Sequence, residues 1–165
     1  MTRRIVIMGV SGCGKSSVGA ALAGRLGIPY RDGDDLHPAA NVDRMRAGIA
    51  LTDADRWPWL DRVAQVLAEE APVIVGCSAL RRVYRDRIRA GAGGPVRFVH
   101  LAGSRAVIAA RMAARTGHYM PLALLDSQFA TLEPPGAEEA VTVDIDRPLG
   151  LLVRDILESL DGGGR

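Results

Sequence analysis

The chain is poor in cysteine, has no long apolar run and no block of like charge, and contains no repeat or low-complexity segment. Each absence removes a class of protein. The two cysteines, Cys13 and Cys77, fit neither metal-ligand spacing nor a secreted disulfide framework, which leaves two reduced thiols. No apolar stretch approaches the roughly 20 residues of a membrane helix. The N-terminus enters a β-branched run almost at once, with no room for a signal peptide's apolar core and cleavage site, so a cytoplasmic location is expected. Lys and Arg number 21 against 19 Asp and Glu, a net charge of +2, and the arginines are interspersed with acids. Such a surface does not favour nucleic acid. At 165 residues, 48% hydrophobic and 24% charged, the composition suits one globular domain over residues 1–165.

What is present is concentrated near the start. Residues 4–8, RIVIM, read as a strand, and Gly9, Gly14, Lys15 and Ser16 then fit the pattern G-x-x-x-x-G-K-[ST], with Ser11, Gly12, Cys13 and Ser17 completing the loop. In that pattern small residues let backbone N–H groups curl around a polyphosphate, which also faces the positive end of the following helix. Lys15 should reach the outer phosphates and Ser16 should ligate Mg²⁺. A strand before the loop and a helix after it weigh against a ligand-free glycine turn.

The remaining chain alternates strand and helix signals. Val18, Ala21, Leu22 and Leu26 predict a helix over 15–26, which Gly27 and Pro29 end. An extended piece at 28–30 leads into an acidic turn at 31–38, and a short helix starts at Pro38 and stops at Gly48. Thr52 is a plausible cap, but Pro58 should interrupt a helix already under way, so an acidic turn with a helix proper from about Pro58 is expected. Residues 72–76 are apolar without alternation, as in a parallel strand covered on both faces. Leu80, Val83, Tyr84 and Ile88 stripe a helix that leaves Arg81, Arg82, Arg85 and Arg89 largely elsewhere. Further strands are expected at 96–101 and 141–145, with helices at 104–115 and from Leu149 to Leu160. Residues 116–136 combine a turn-rich break, a short helical segment and a Pro-Pro-Gly, and look like a movable lid. The series predicts an α/β domain with a parallel sheet and ligands at the carboxyl ends of its strands.

As a candidate acceptor pocket, Asp32, Asp34, His37 and Arg56 offer acceptors and a fork for an anion, which suits a polar, hydroxylated, anionic substrate. The bland alternatives are a solvated turn that caps the next helix and a His37 that serves only as a cap. On the 104–115 helix, Arg111 and Arg115 share the arc of Val107, Ile108 and Met112; an anion or ordinary ion pairs would explain them. Trp57 and Trp59 read as core and pocket wall before they read as a stacking platform. Cys13, a loop thiol near a helix N-terminus with Cys77 expected close by, is a candidate for inactivating oxidation.

These residues resemble a known family. The block Met8–Ser16, then Asp32-Gly33-Asp34-Asp35-Leu36-His37-Pro38, Leu51–Leu60, Cys77-Ser78-Ala79-Leu80-Arg81 with Tyr84-Arg85-Asp86, and Gly117-His118-Tyr119 are similar to the gluconokinases of the nucleoside-monophosphate-kinase-like group. The phosphate loop is generic, whereas the D-G-D-x-L-H-P and C-S-A-L blocks are specific to these sugar-acid kinases. The resemblance implies a five-stranded parallel sheet ordered 2-3-1-4-5, transfer of the ATP γ-phosphate to the 6-hydroxyl of D-gluconate with Mg²⁺ and a closing lid, and often a homodimer. It implies that Asp34 orients the acceptor hydroxyl and takes up its proton, that Asp32 supports the site or the metal's waters, and that Arg56 holds the gluconate carboxylate with His37 on hydroxyls. Arg111 and Arg115 would lie over the phosphates, and His118 would touch a substrate or nothing. Arg81 stands where members commonly carry lysine, so a fork replaces a point donor and its role is open. The rivals are a kinase of another small anionic metabolite, shikimate-like or a nucleotide, and a nucleotide-binding regulatory module.

Overall fold

A parallel strand buried on both faces has no polar side, and the central strands of this molecule read accordingly. The computed structural model describes residues 3–114 and 122–162. Strands β1 (Arg4–Met8), β2 (Tyr30–Asp32), β3 (Val73–Gly76), β4 (Arg97–Ala102) and β5 (Ala140–Asp144) form one sheet in the order β2-β3-β1-β4-β5. Every pairing is parallel, with Val6 opposite Val75 on one side and Phe98 on the other. The expected architecture and strand order are thus observed. β3 is buried at all of its positions and β1 at all but the first.

The helices are α1 (Lys15–Leu26), α2 (Ala39–Arg46), α3 (Asp53–Glu70), α4 (Arg82–Gly91), α5 (Arg105–Ala114), α6 (Leu122–Thr131) and α7 (Leu149–Gly162), with a 3-10 turn at Gly33–Leu36. Helix α1 packs with α7, and α3 with α4, and all four bury their apolar sides in the core built on the sheet. Among the described residues no helix is long and apolar enough to cross a membrane.

Two expectations are corrected. Helix α3 begins at Asp53, not near Pro58, which lies inside it. Its start is closed by a capping box in which Asp55 N–H donates to Thr52 Oγ1 (3.1 Å) and Thr52 N–H to Asp55 Oδ2 (2.9 Å). Burial of Trp59 and Leu60 in the core adds what the interior proline takes away, a loss of about 3 kcal/mol. Arg85, which the helical stripe leaves off the apolar side, is 1% exposed. Its Nε and Nη2 donate to the two carboxylate oxygens of Glu139 (2.9 and 3.1 Å), and Nη1 and Nη2 donate to the Ala79 and Glu133 carbonyls (2.8 and 3.0 Å). That bidentate pair holds the Glu139 carboxyl down at about 2, against the opposing effect of burial. It also ties α4 to the segment that leads into β5.

Candidate active site

Strand β1 is flanked by β3 and β4, so the loop leaving its carboxyl end opens at the crevice where α/β sheets receive ligands. The loop's shape demands glycine at Gly9, whose φ is 147°. A Cβ there would stand 2.9 Å from the Leu101 carbonyl oxygen and 2.8 Å from Cys13 Sγ. Gly12 (φ 80°) leaves no room for a side chain either, because a Cβ would lie 2.6 Å from Met112 Cγ on α5. The loop is therefore clamped between sheet and helix. Lys15, the chain's single lysine, opens α1 and folds its ammonium back onto the Gly9 and Val10 carbonyls (3.0 and 3.1 Å). Ser16 and Ser17 stand exposed in the same turn.

The two thiols are buried, Cys13 to 1% exposure and Cys77 fully, and burial pushes Cys77 up to about 12. The oxidation expected of Cys13 therefore lacks a route from solvent.

The acidic turn follows β2 directly. Asp32 turns its carboxylate back to accept from the Asp34 backbone N–H (2.9 Å), so it caps the 3-10 turn while Asp34 remains exposed. Gly33 is needed at the bend because a Cβ would meet the Gly76 carbonyl oxygen at 2.2 Å. His37 closes the turn and stacks on Trp59, with ring centroids 4.0 Å apart and planes 16° from parallel. Trp59 is fixed in turn by its Nε1–H donating to the Gly33 carbonyl (2.8 Å). Trp59 is thus wall and core, as expected. Burial, with Arg56 adding to it, lowers His37 to about 4 and leaves its ring neutral at pH 7.

One cavity brings together Ser11 and Lys15 of the phosphate loop, Asp34, His37 and Arg56 of the acidic side, and Gln128 of α6. Arg56, on α3, donates from Nη1 to the Tyr84 hydroxyl (2.9 Å) and lies 5.2 Å from that ring's centre. Tyr84 itself donates to Asp53 Oδ1, and Arg81 Nη1 donates to Asp53 Oδ2 at 2.5 Å. These bonds, the tyrosine's first, hold the Asp53 carboxyl below the usual range. Arg81 is therefore turned toward Asp53 and, at 3.7 Å, Glu133, and it does not line the cavity. Arg111 donates to the Ile145 carbonyl beyond β5 and does not line it either. Arg115 and His118 lie outside the described residues.

Three features escape a reading of the sequence. Gln128 accepts from the Ser11 backbone N–H (2.7 Å) and donates to Ser11 Oγ (3.0 Å) across 117 positions, with no motif to announce it. Asn41 is buried behind His37, and only its place on the inner side of α2 hints at this. Ala79 of the C-S-A-L block adopts φ 46°, a left-handed conformation uncommon outside glycine, with its carbonyl held by Arg85.

Comparison with known proteins agrees with this geometry. The family profile described as "AAA domain" matches residues 5–135. A gluconokinase of Gluconobacter oxydans (strain 621H) is 48% identical over 143 residues, covering 84% of this chain and 80% of the relative. The thermosensitive gluconokinase of Escherichia coli (strain K12) is 46% identical over 145 residues, covering 86% and 77%. The crystal structure of a gluconokinase from Sinorhizobium meliloti 1021 superposes with a TM-score of 0.90 at 52% identity, over 96% of this chain and 91% of that one. Such identity over most of each chain makes this chain a member of the gluconokinase family and an enzyme of the P-loop kinase group.

Proposed function

We propose that the enzyme transfers the γ-phosphoryl group of ATP to the 6-hydroxyl of D-gluconate, giving 6-phosphogluconate and ADP. The observation that carries the reading is the single cavity in which Lys15 and Ser11 face Asp34, His37 and Arg56. A donor site alone would serve a hydrolase equally; an acceptor side with a carboxylate, a neutral imidazole and a guanidinium suits a hydroxylated acid. The names of the relatives supply the substrate.

In this reading the backbone N–H groups of Gly9 to Ser17 cradle the phosphates, and Lys15 leaves the Gly9 and Val10 carbonyls for the outer phosphate oxygens. Arg56, braced by Tyr84, pairs with the gluconate carboxylate and so fixes which end of the substrate faces the donor. His37 holds a hydroxyl between. Asp34 accepts the proton of the 6-hydroxyl as its oxygen bonds to phosphorus and the bond to the β-phosphate oxygen breaks, leaving the electron pair on ADP. Asp32 keeps Asp34 in place through its backbone N–H.

Oxygen donors suit Mg²⁺, and the exposed hydroxyl of Ser16 and the carboxylates of Asp32 and Asp34 are of that kind. Ser16 would hold the ion, and Asp32 would support the waters around it. When bound it neutralises charge developing on the phosphoryl oxygens. Residues 116–136 would form the lid, with His118 on it in reach of a substrate; Arg115 would lie over the phosphates, and Arg111 would join it there on leaving the Ile145 carbonyl. Arg81 acts on the acceptor side only through Asp53.

A coupled ADP-release assay over gluconate, other C6 sugar acids, shikimate and nucleoside monophosphates tests the reading. Gluconate should be turned over with the highest kcat/KM, and the product should resist periodate cleavage at the phosphorylated end. Preference for another acceptor would replace the substrate; turnover of none would overturn the reading.

A further inference from the structure

His37 is gripped on one face and one edge by two separate elements. Trp59 of α3 stacks on the ring, and Asn41 of α2 meets its edge, with Asn41 Nδ2 3.2 Å from His37 Nδ1. The orientation of the Asn41 amide is settled independently of the histidine. The same Nδ2 lies 2.8 Å from the Asp55 carbonyl oxygen, which can only accept, so this atom is the NH₂ nitrogen, with one hydrogen committed to Asp55 and the other left for His37. Asn41 is 4% exposed, and reversing the amide would set two acceptors against each other without water to separate them.

An amide NH₂ can only donate, so the Nδ1 that it faces must offer a lone pair. We infer that Asn41 is a positioning residue that fixes His37 as the neutral tautomer protonated on Nε2, so that the ring presents an uncharged N–H donor to the acceptor substrate. Nε2 has no partner among the described residues and is not among their buried unpartnered atoms, and His37 lines the cavity shared with Asp34 and Arg56. The charged groups lining that cavity around the ring are Arg56 of α3, Asp34 of the 3-10 turn and Lys15 of α1. Burial and Arg56 both work against a second proton on His37, in keeping with the tautomer that the geometry sets.

The chemical consequence is selectivity for an oxygen that accepts. A ring locked as a donor gains a hydrogen bond from a substrate hydroxyl or carboxylate oxygen, and it is left unpaired by an analogue lacking that oxygen. The substrate half of this inference rests on the sugar-acid reading above, whereas the tautomer does not.

The test begins with the unliganded full-length protein, labelled with ¹⁵N in its histidine rings and assigned with His37→Gln. At pH 7 the His37 Nδ1 resonance should be pyridine-like and Nε2 pyrrole-like; the opposite pattern, or a doubly protonated ring, overturns the inference. Asn41→Asp, which replaces the donor by an acceptor, should move the proton onto Nδ1, and Asn41→Leu should leave both tautomers populated. Removing one directed hydrogen bond predicts a KM for gluconate raised about tenfold in Asn41→Leu, with the KM for ATP unchanged. A wild-type ring pattern and KM in both variants would remove Asn41 from the role. Should either variant fail to fold, the wild-type spectrum still decides the tautomer. A wild-type enzyme that ignores gluconate but shows the Nε2–H ring would fail the substrate reading alone.

Discussion

Gln128 and Ser11 satisfy each other twice: the amide oxygen accepts from the loop N–H at 2.7 Å and the amide nitrogen donates to the serine hydroxyl at 3.0 Å. The loop N–H is a donor of the kind that such loops offer to phosphate oxygens. A nucleotide must therefore displace Gln128 from it. Gln128→Ala removes that competition, worth about 1 kcal/mol for one net hydrogen bond, and should tighten ADP binding roughly fivefold. Isothermal titration measures it; weaker binding would instead make Gln128 a nucleotide contact.

Lys15→Ala should lower kcat by about three orders of magnitude or more, because the ammonium is lost where charge develops on the transferred group. Asp34→Asn should lower kcat by at least a hundredfold while ADP affinity changes less than threefold, since in the proposed reaction its partner is the acceptor proton and not the nucleotide. Steady-state kinetics and nucleotide titration separate the two effects, and an Asp34→Asn enzyme with normal kcat would take that residue out of the chemistry.

Tyr84 braces Arg56 on one side and Asp53 on the other. Tyr84→Phe keeps the ring and deletes the hydroxyl, which frees the Arg56 fork to wander. The expected outcome is a KM for gluconate raised about five- to tenfold with kcat within a factor of about two, by the loss of one charge-assisted bond. Activity assays at varied gluconate and saturating ATP check it.

Acid should destabilise the fold in two stages. His37 and His100 are held at about 4 by burial first, with Arg56 and Arg85 respectively adding to it. Their folded values lie below the unfolded 6.5, so the unfolded chain binds the extra protons. Their contribution is intact above pH 6.5 and is lost as the pH falls toward 4, at up to about 1.4 kcal/mol per pH unit for each ring. Glu139, held at about 2 against an ordinary 4.5, follows the same sign and is lost between those values. Urea unfolding from pH 8 to pH 3 reads both stages, and His100→Gln should flatten the first.

What the sequence revealed and what it concealed divide by distance along the chain. The phosphate loop, the D-G-D-x-L-H-P turn and the apolar strands are contiguous, and each states its conformation through neighbours a few residues away. Helix α3 misled because one interior proline was weighed without the capping box and the buried Trp59 that outweigh it. Arg85 read as a surface charge because its partner, Glu139, stands 54 positions away. Gln128 is farther still from Ser11, and Asn41 meets Asp55 only after α2 and α3 have packed. The motif leaves the role of Arg81 open because its partner, Asp53, stands 28 positions away on another helix.

The end of α6 is pinned. Glu133 N–H donates to the Leu80 carbonyl (2.7 Å), its side chain accepts from Arg82 N–H (2.8 Å), and Arg85 grips both its carbonyl and Glu139. With that end fixed and Gln128 only five residues before it, Glu133 is the fulcrum about which α6 would turn. The short arm of that lever rests on the phosphate loop. The fulcrum stands on the turn that carries Arg81, and through it Asp53, Tyr84 and Arg56. The phosphate loop and the acidic side of the cavity thus share one anchor at Glu133.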